Sequence, residues 1–190
     1  MVMNPGITTV ESYQDRQIIA FLDHAGPVVP VLIAPGQADL LAGTVLGKNA
    51  DGYYAPVRRT TLTADAATGQ TELSVTDPSI FSVGQKVSIQ EADGSETEDL
   101  GAITAIGENS ITVSNALAAA KSTGAYVYVA DGSETAKVIL AENVPAQAAA
   151  VNAKAYLGGV FYSNMLIGFD AVAKADLGAR VVDDFTIIPV

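Results

Sequence analysis

Apolar and polar positions change rhythm along this chain, and the changes divide it. From Pro27 to Thr60 the apolar residues come in short runs broken by turn signals: PVVPVLI, Pro35-Gly36, LLAGTVLG, Asn49-Ala50-Asp51-Gly52 and YYAPV. Such runs, rich in β-branched and aromatic residues and bounded by Gly, Pro, Asn and Asp, predict strands. Pro27 and Pro30 confine the first strand to a sheet edge, because proline has no N–H for a ladder. Leu40 to Gly47 forms the second. Asp51-Gly52 accepts positive φ and turns it into a hairpin with Tyr53 to Val57.

Between residues 61 and 129 the pattern becomes short and alternating. It predicts strands over Thr71–Val75, Lys86–Gln90, Leu100–Ile106, Ser110–Val113 and Ala125–Val129. Turn signals separate them at Thr68-Gly69, Asp77-Pro78, Asp93-Gly94, Gly107-Glu108-Asn109 and Thr123-Gly124. Asn115 to Lys121 is read as a single helical turn. The block is an all-β unit, sandwich or barrel. It begins just after one β segment and ends just before another, as an insertion at a loop tip does.

From Asp131 to Ile167 longer apolar stretches return. Ala136–Ala141 and Ala153–Phe161 predict two strands, joined by an Ala-rich connection through Val144 and Pro145. Gly158-Gly159 inside the second marks a bulge or a close approach of two backbones. Ala130 to Thr135 repeats Ala92 to Thr97, and the reading is two turns built from the same good turn residues. A short helix is expected over Ala171–Leu177, capped by Asp170 and ended by Gly178. A last strand is expected over Asp184–Ile188. At the other end, residues 1–26 hold isolated apolar side chains. Leaving a large one in water costs about 1.5–3 kcal/mol. The segment is either a frayed tail or, as favoured, an arm that docks on a partner through Ile7, Val10, Tyr13, Ile18, Ile19, Phe21 and Leu22.

Composition narrows the classes. The 190 residues, 49% hydrophobic, suffice for one domain, or a small domain carrying another. A net charge of −11 disfavours nucleic acid, which needs clustered Lys and Arg, and equally disfavours anionic membranes. Cysteine is absent, so no disulfide framework and no thiolate chemistry is available. Met1 to Arg16 lacks the apolar core of a signal peptide, and no run reaches the roughly 18 apolar residues of a membrane helix.

Candidate chemistry is sparse. His24 is the sole histidine, no G-x-S-x-G accompanies it, and it reads as a loop residue. The acidic stretch Glu91 to Asp99 offers oxygen ligands for calcium, but it lacks EF-hand spacing and reads as a solvated hairpin. Asp183-Asp184 on a strand point to opposite faces and make no dyad. Gly43, Gly47 and Gly52 are too widely spaced for a dinucleotide fingerprint. Arg58-Arg59 beside Lys48 is either a patch for an acidic partner or, as favoured, a solvated pair. The residues thus describe a non-enzymatic protein without metal or cofactor, either a structural assembly protein or a ligand-binding module.

The flanking segments resemble the head decoration (capsid cement) proteins of lambda-like tailed phages. The likeness is carried by LLAGTVLGK at Leu40–Lys48 with Gly52-Tyr53-Tyr54-Ala55-Pro56-Val57, by Asp131–Ala136 followed by Ile139–Val144, and by Lys154-Ala155-Tyr156 through Gly159-Val160-Phe161 and Asn164-Met165-Leu166. Their order along the chain is the stronger signal. About 70 residues intervene where most members run straight on. That block is similar to small β modules appended to phage head and tail proteins, through Thr61-Leu62-Thr63-Ala64 and Phe81–Val87. The resemblance implies a mainly β fold. Residues 27–60 plus 130–190 would form a small β-barrel, β-tadpole-like decoration domain. Residues 61–129 would be an inserted all-β domain, and residues 1–26 a capsid-binding arm. It implies a homotrimer, made in the host cytoplasm, that binds the major capsid protein on the outside of the expanded head and stabilises it. The alternative is a surface adhesin or glycan-binding module carried on the virion, weakly suggested by Tyr126 and Tyr128.

Overall fold

The computed structural model describes Ile18, residues 26–178 and the backbone of residues 181–182. The protein is mainly β. Along the chain β1 (Val28–Ile33), β2 (Val45–Lys48) and β3 (Tyr54–Pro56) are followed by β4 (Arg59–Thr61), β5 (Glu72–Ser74), β6 (Lys86–Gln90), β7 (Glu98–Ile106), β8 (Ser110–Val113) and β9 (Tyr126–Val129). Then come β10 (Ala136–Leu140), β11 (Val151–Tyr156), β12 (Gly159–Val160), helix α1 (Ala171–Leu177) and β13 (Val181–Val182).

Strands from both flanks build one unit. The order β1-β11-β10-β2-β3 closes on itself through a parallel bridge from Ile33 to Tyr54. Its interior holds Val31, Ile33, Leu46, Val138, Leu140 and Ala155. The opposite side of β2 and β10 is also covered: Val45, Ala136 and Ile139 pack with Phe161, Ala173 and Leu177 beneath α1. Burial on two faces explains why Ala136–Ala141 reads as a nearly continuous apolar run rather than an alternation. The Asn49–Gly52 turn joins β2 to β3 as predicted, with Gly52 at φ 89 and the Asn49 carboxamide accepting from the Tyr53 N–H at 2.9 Å. The α1 expectation also holds. Asp170 accepts from the Ala173 N–H at 2.7 Å, and Gly178 ends the helix at φ 58.

The second unit is a six-stranded curled sheet, β4-β9-β6-β7-β8-β5. Its edge strands meet where Leu62 bridges Val75, with the Thr63 N–H donating to the Ser74 carbonyl at 3.0 Å. The alternation places Leu73, Val87, Ile89, Leu100, Ile111 and Val127 inside, all at 0% exposure, in a core separate from that of the first unit. The two Asp-Gly-Ser turns have the same origin: Asp93 accepts from the Ser95 N–H and Asp131 from the Ser133 N–H, at 2.8 and 2.9 Å.

Several expectations shift. The inserted unit starts at Arg59 rather than 61, because Arg59, Thr60 and Thr61 pair with Tyr128, Val127 and Tyr126. Leu40 to Thr44 is not strand. The chain turns through Gly43 at φ 93, where a β-carbon would crowd the Met165 carbonyl. Asn115 to Lys121 forms no helix, because its N–H groups find partners outside the segment. Pro30 lies on a strand paired along its length with β11 but with β3 only at Ile33, so one side of β1 is an open edge. The predicted strand over Ala153–Phe161 breaks at Gly158. The Gly158 carbonyl sits so close to Gly26 that a β-carbon there would collide with it. The expected strand over Asp184–Ile188 lies outside the described residues.

Because the two cores are separate, Ile111→Ala should cost the inserted unit about 2–5 kcal/mol. Native-state hydrogen exchange should then show faster opening of β8 and β7 with β10 and β11 unchanged; equal loss in both units would contradict this independence.

Candidate functional site

A buried, multiply bonded polar group lies where the two units meet. Arg59, on β4 of the inserted unit, has a side chain 6% exposed. Its Nη1 donates to both carboxylate oxygens of Asp170, at 2.8 and 2.9 Å, and its Nη2 donates to the Glu134 carbonyl at 2.7 Å. The guanidinium also stands 5.8 Å from the centre of the Tyr126 ring. Asp170 belongs to the flanking unit and caps α1 with the same carboxylate. A planar cation with a fixed fork of donors suits such a site, and a lysine ammonium does not. With its charge matched by Asp170, Arg59 is a joint rather than a receptor for a substrate anion.

This corrects the reading of Arg58-Arg59 as a solvated pair. Arg58 is half-buried and donates to the Gln37 carboxamide at 3.1 Å. Burial lowers its pKa, and Asp131 opposes the shift. Lys48 lies over the Tyr54 ring at 5.9 Å. Each cation has an intramolecular partner, so the three form no shared patch. Sequence alone gave no sign of the Arg59 joint, because Asp170 and Glu134 lie 111 and 75 residues away.

Beside the joint a recess of about 240 Å³ is lined by Arg59, Thr61, Thr76, Asp77, Tyr126 and Asp170. The Thr61 and Thr76 hydroxyls are 2.9 Å apart, and the Thr60 hydroxyl accepts from the Asp77 N–H at 3.0 Å. Tyr126 is half-buried there and Tyr128 is half-buried two residues on.

Of the arm residues, Ile7, Val10, Tyr13, Ile19, Phe21 and Leu22 lie outside the described residues, as do His24 and Asp183-Asp184. Ile18 is described and is 3% exposed. It packs in the core formed by Val45, Phe161 and Leu177, and its carbonyl accepts from the Tyr162 N–H at 3.0 Å. Its side chain is committed to its own domain. The acidic stretch joins β6 to β7 with Asp93, Glu96 and Asp99 exposed, as a solvated hairpin; Glu91 accepts from the Ser122 N–H, Glu98 from the Ala118 N–H, and Lys121 sits against Glu96 and Glu98. No group of three or more His, Asp or Glu side chains among the described residues is arranged to hold a metal ion. Gly47 is required by packing, since a β-carbon there would collide with the Ser133 carbonyl. No helix among the described residues is long and apolar enough to cross a membrane.

No family model, curated protein or solved structure matches this chain.

Two measurements follow from these contacts. Arg59→Lys keeps the charge but loses the fork, and should cost about 1.5–3 kcal/mol in urea unfolding; an unchanged midpoint would deny the joint its role. Burial raises the pKa of the Tyr128 and Tyr156 phenols. A phenol whose folded pKa lies above its unfolded value stabilises fully below that unfolded value, about 10, and the contribution is lost as pH rises through the folded value. Stability should therefore fall above about pH 10, and the Tyr128→Phe/Tyr156→Phe protein should fall less.

Proposed function

We propose that this chain is a structural virion protein that binds the outside of an expanded phage capsid as a trimer and stabilises it, with no enzymatic role. One observation carries the reading. The segments that bear the decoration-protein likeness lie on either side of an insert of about 70 residues, yet they join in one closed barrel, β1-β11-β10-β2-β3. The residues between them fold as a separate passenger.

The surface of β1 supports the same reading. Val28, Pro30 and Leu32 alternate outward, with Val28 49% and Leu32 39% exposed, next to the open edge of the strand and directly after residues 1–26. Apolar side chains beside an open strand edge suit docking of extended backbone from a partner, here the major capsid protein. Three copies in one trimer multiply the effective concentration of each contact. Binding confined to the expanded shell stabilises it by mass action, about 2.7 kcal/mol per site at a hundredfold excess over the dissociation constant.

The burial of Ile18 sets where a truncation must stop. Removing residues 1–17 keeps Ile18 and should abolish co-sedimentation with expanded heads while far-UV circular dichroism stays unchanged. Undiminished binding would remove the arm from the account. A second reading, a glycan-binding adhesin, draws on the recess lined by Tyr126, Thr61, Thr76 and Asp77. Under that reading Tyr126→Ala would reduce attachment to cells and leave head binding intact.

A further inference from the structure

β1 presents its outward side chains and its unpaired backbone on the same three residues. The Leu157 N–H donates to the Pro27 carbonyl at 3.0 Å, and the register runs from Val28 opposite Tyr156 to Ile33 opposite Val151. In an antiparallel ladder, residues that bond one neighbour alternate with residues whose N–H and C=O turn the other way. Pro27, Val29, Val31 and Ile33 therefore face β11, and Val28, Pro30 and Leu32 face away from it. Ala34 continues the second set, since its N–H donates to the Tyr54 carbonyl on β3 at 2.8 Å. β3 meets β1 only at Ile33, so over Val28–Leu32 no strand among the described residues pairs on that side. The side chains of the same residues point out of the barrel: Val28 and Leu32 are exposed, as is Pro30 between them, while Val31 and Ile33 are buried.

An apolar strand with an unpaired edge is a template for a further strand. The strand most often at hand for a free molecule is β1 of another copy, and two such edges meet antiparallel across a two-fold axis. Pro30 stands in the middle of this edge and has no N–H to give. Centring the contact on Pro30 sets proline against proline and Val28 against Leu32, and both central donors are missing. Sliding the register by two residues sets each Pro30 against a Val28 or a Leu32 of the other copy, and again two donors are missing. Each missing donor leaves a carbonyl unpaired inside an apolar contact, which weakens it more than a lost bond in water would. A visiting strand without proline meets only one such gap.

We propose that Pro30 guards this edge against other copies of the chain: it keeps β1 from joining β1 between free molecules, and it leaves the edge usable by a proline-free extended strand of another protein. The guard acts between free molecules, whatever partner the edge later meets.

The test uses the full chain. Pro30→Val restores the donor with a residue suited to strands. By sedimentation equilibrium it should at least double the mass of the soluble species, at concentrations where the unaltered chain keeps its own mass. In the assembled variant the Val28 and Leu32 amides should exchange about tenfold more slowly, while those of Val29 and Val31, which face β11, keep their protection. Adding Leu32→Lys places a charge beside the edge and should return the mass to that of the unaltered chain. An unchanged mass in Pro30→Val, association that survives Leu32→Lys, or association in which Val29 and Val31 lose protection would each overturn the proposal. No capsid enters these measurements, so their failure is distinct from a failure of the arm to bind heads.

Discussion

The arrangement of this molecule depends on one guanidinium. Two units, each with its own core, are joined where the chain crosses at residues 58–59 and returns at residues 129–130. The crossings are laced by the Val129 N–H on the Arg58 carbonyl and the Ala130 N–H on the Lys86 carbonyl, at 3.1 and 3.0 Å. Arg59 adds a further tie, gripping Asp170 and the Glu134 carbonyl while resting on Tyr126. Asp170 also caps α1, and α1 covers the outer side of β10. The joint therefore links the orientation of the insert to the packing of the barrel. Loss of such a buried partner costs more than the pair itself is worth, because a desolvated charge is left behind.

A passenger tied by a buried ion pair to a barrel built from both flanks suits the surface role proposed above. The barrel can keep its contacts because the insertion enters at a place where entry and exit strands already lie side by side. The insert keeps its own alternation, its own core and its own turns. Loop-closure cost grows slowly with length, so a large insertion is tolerated once its ends are close. What the arrangement asks of the sequence is a pair of compatible ends and a fixed joint, and Arg58 to Thr61 with Tyr126 to Ala130 supplies both.

Much of this was legible in residue pattern. β6 and β8 fall on the predicted residues because Val87, Ile89, Ile111 and Val113 alternate against polar neighbours. The Asn49–Gly52 hairpin and the Asp170-capped helix were legible because their signals are local side-chain and φ requirements. Leu40 to Thr44 misled because an apolar run does not reveal that Gly43 must turn with its neighbour's carbonyl pressed against it. Asn115 to Lys121 misled for a related reason: its Ala-rich composition favours helix, but its N–H groups are captured by the distant carbonyls of Leu100, Gln70 and Ala66 and by the Glu98 carboxylate. The Arg59 joint and the burial of Lys121 are contacts between residues far apart in sequence, and composition marks both as surface charges.

The central claim is that the flanks form a complete unit and the insert is carried by it. Joining residue 58 to residue 130 through a short Gly-Ser link and measuring amide exchange tests this most directly. β1, β10 and β11 should remain protected, and the shortened chain should unfold in one cooperative transition. Rapid exchange throughout those strands would contradict it.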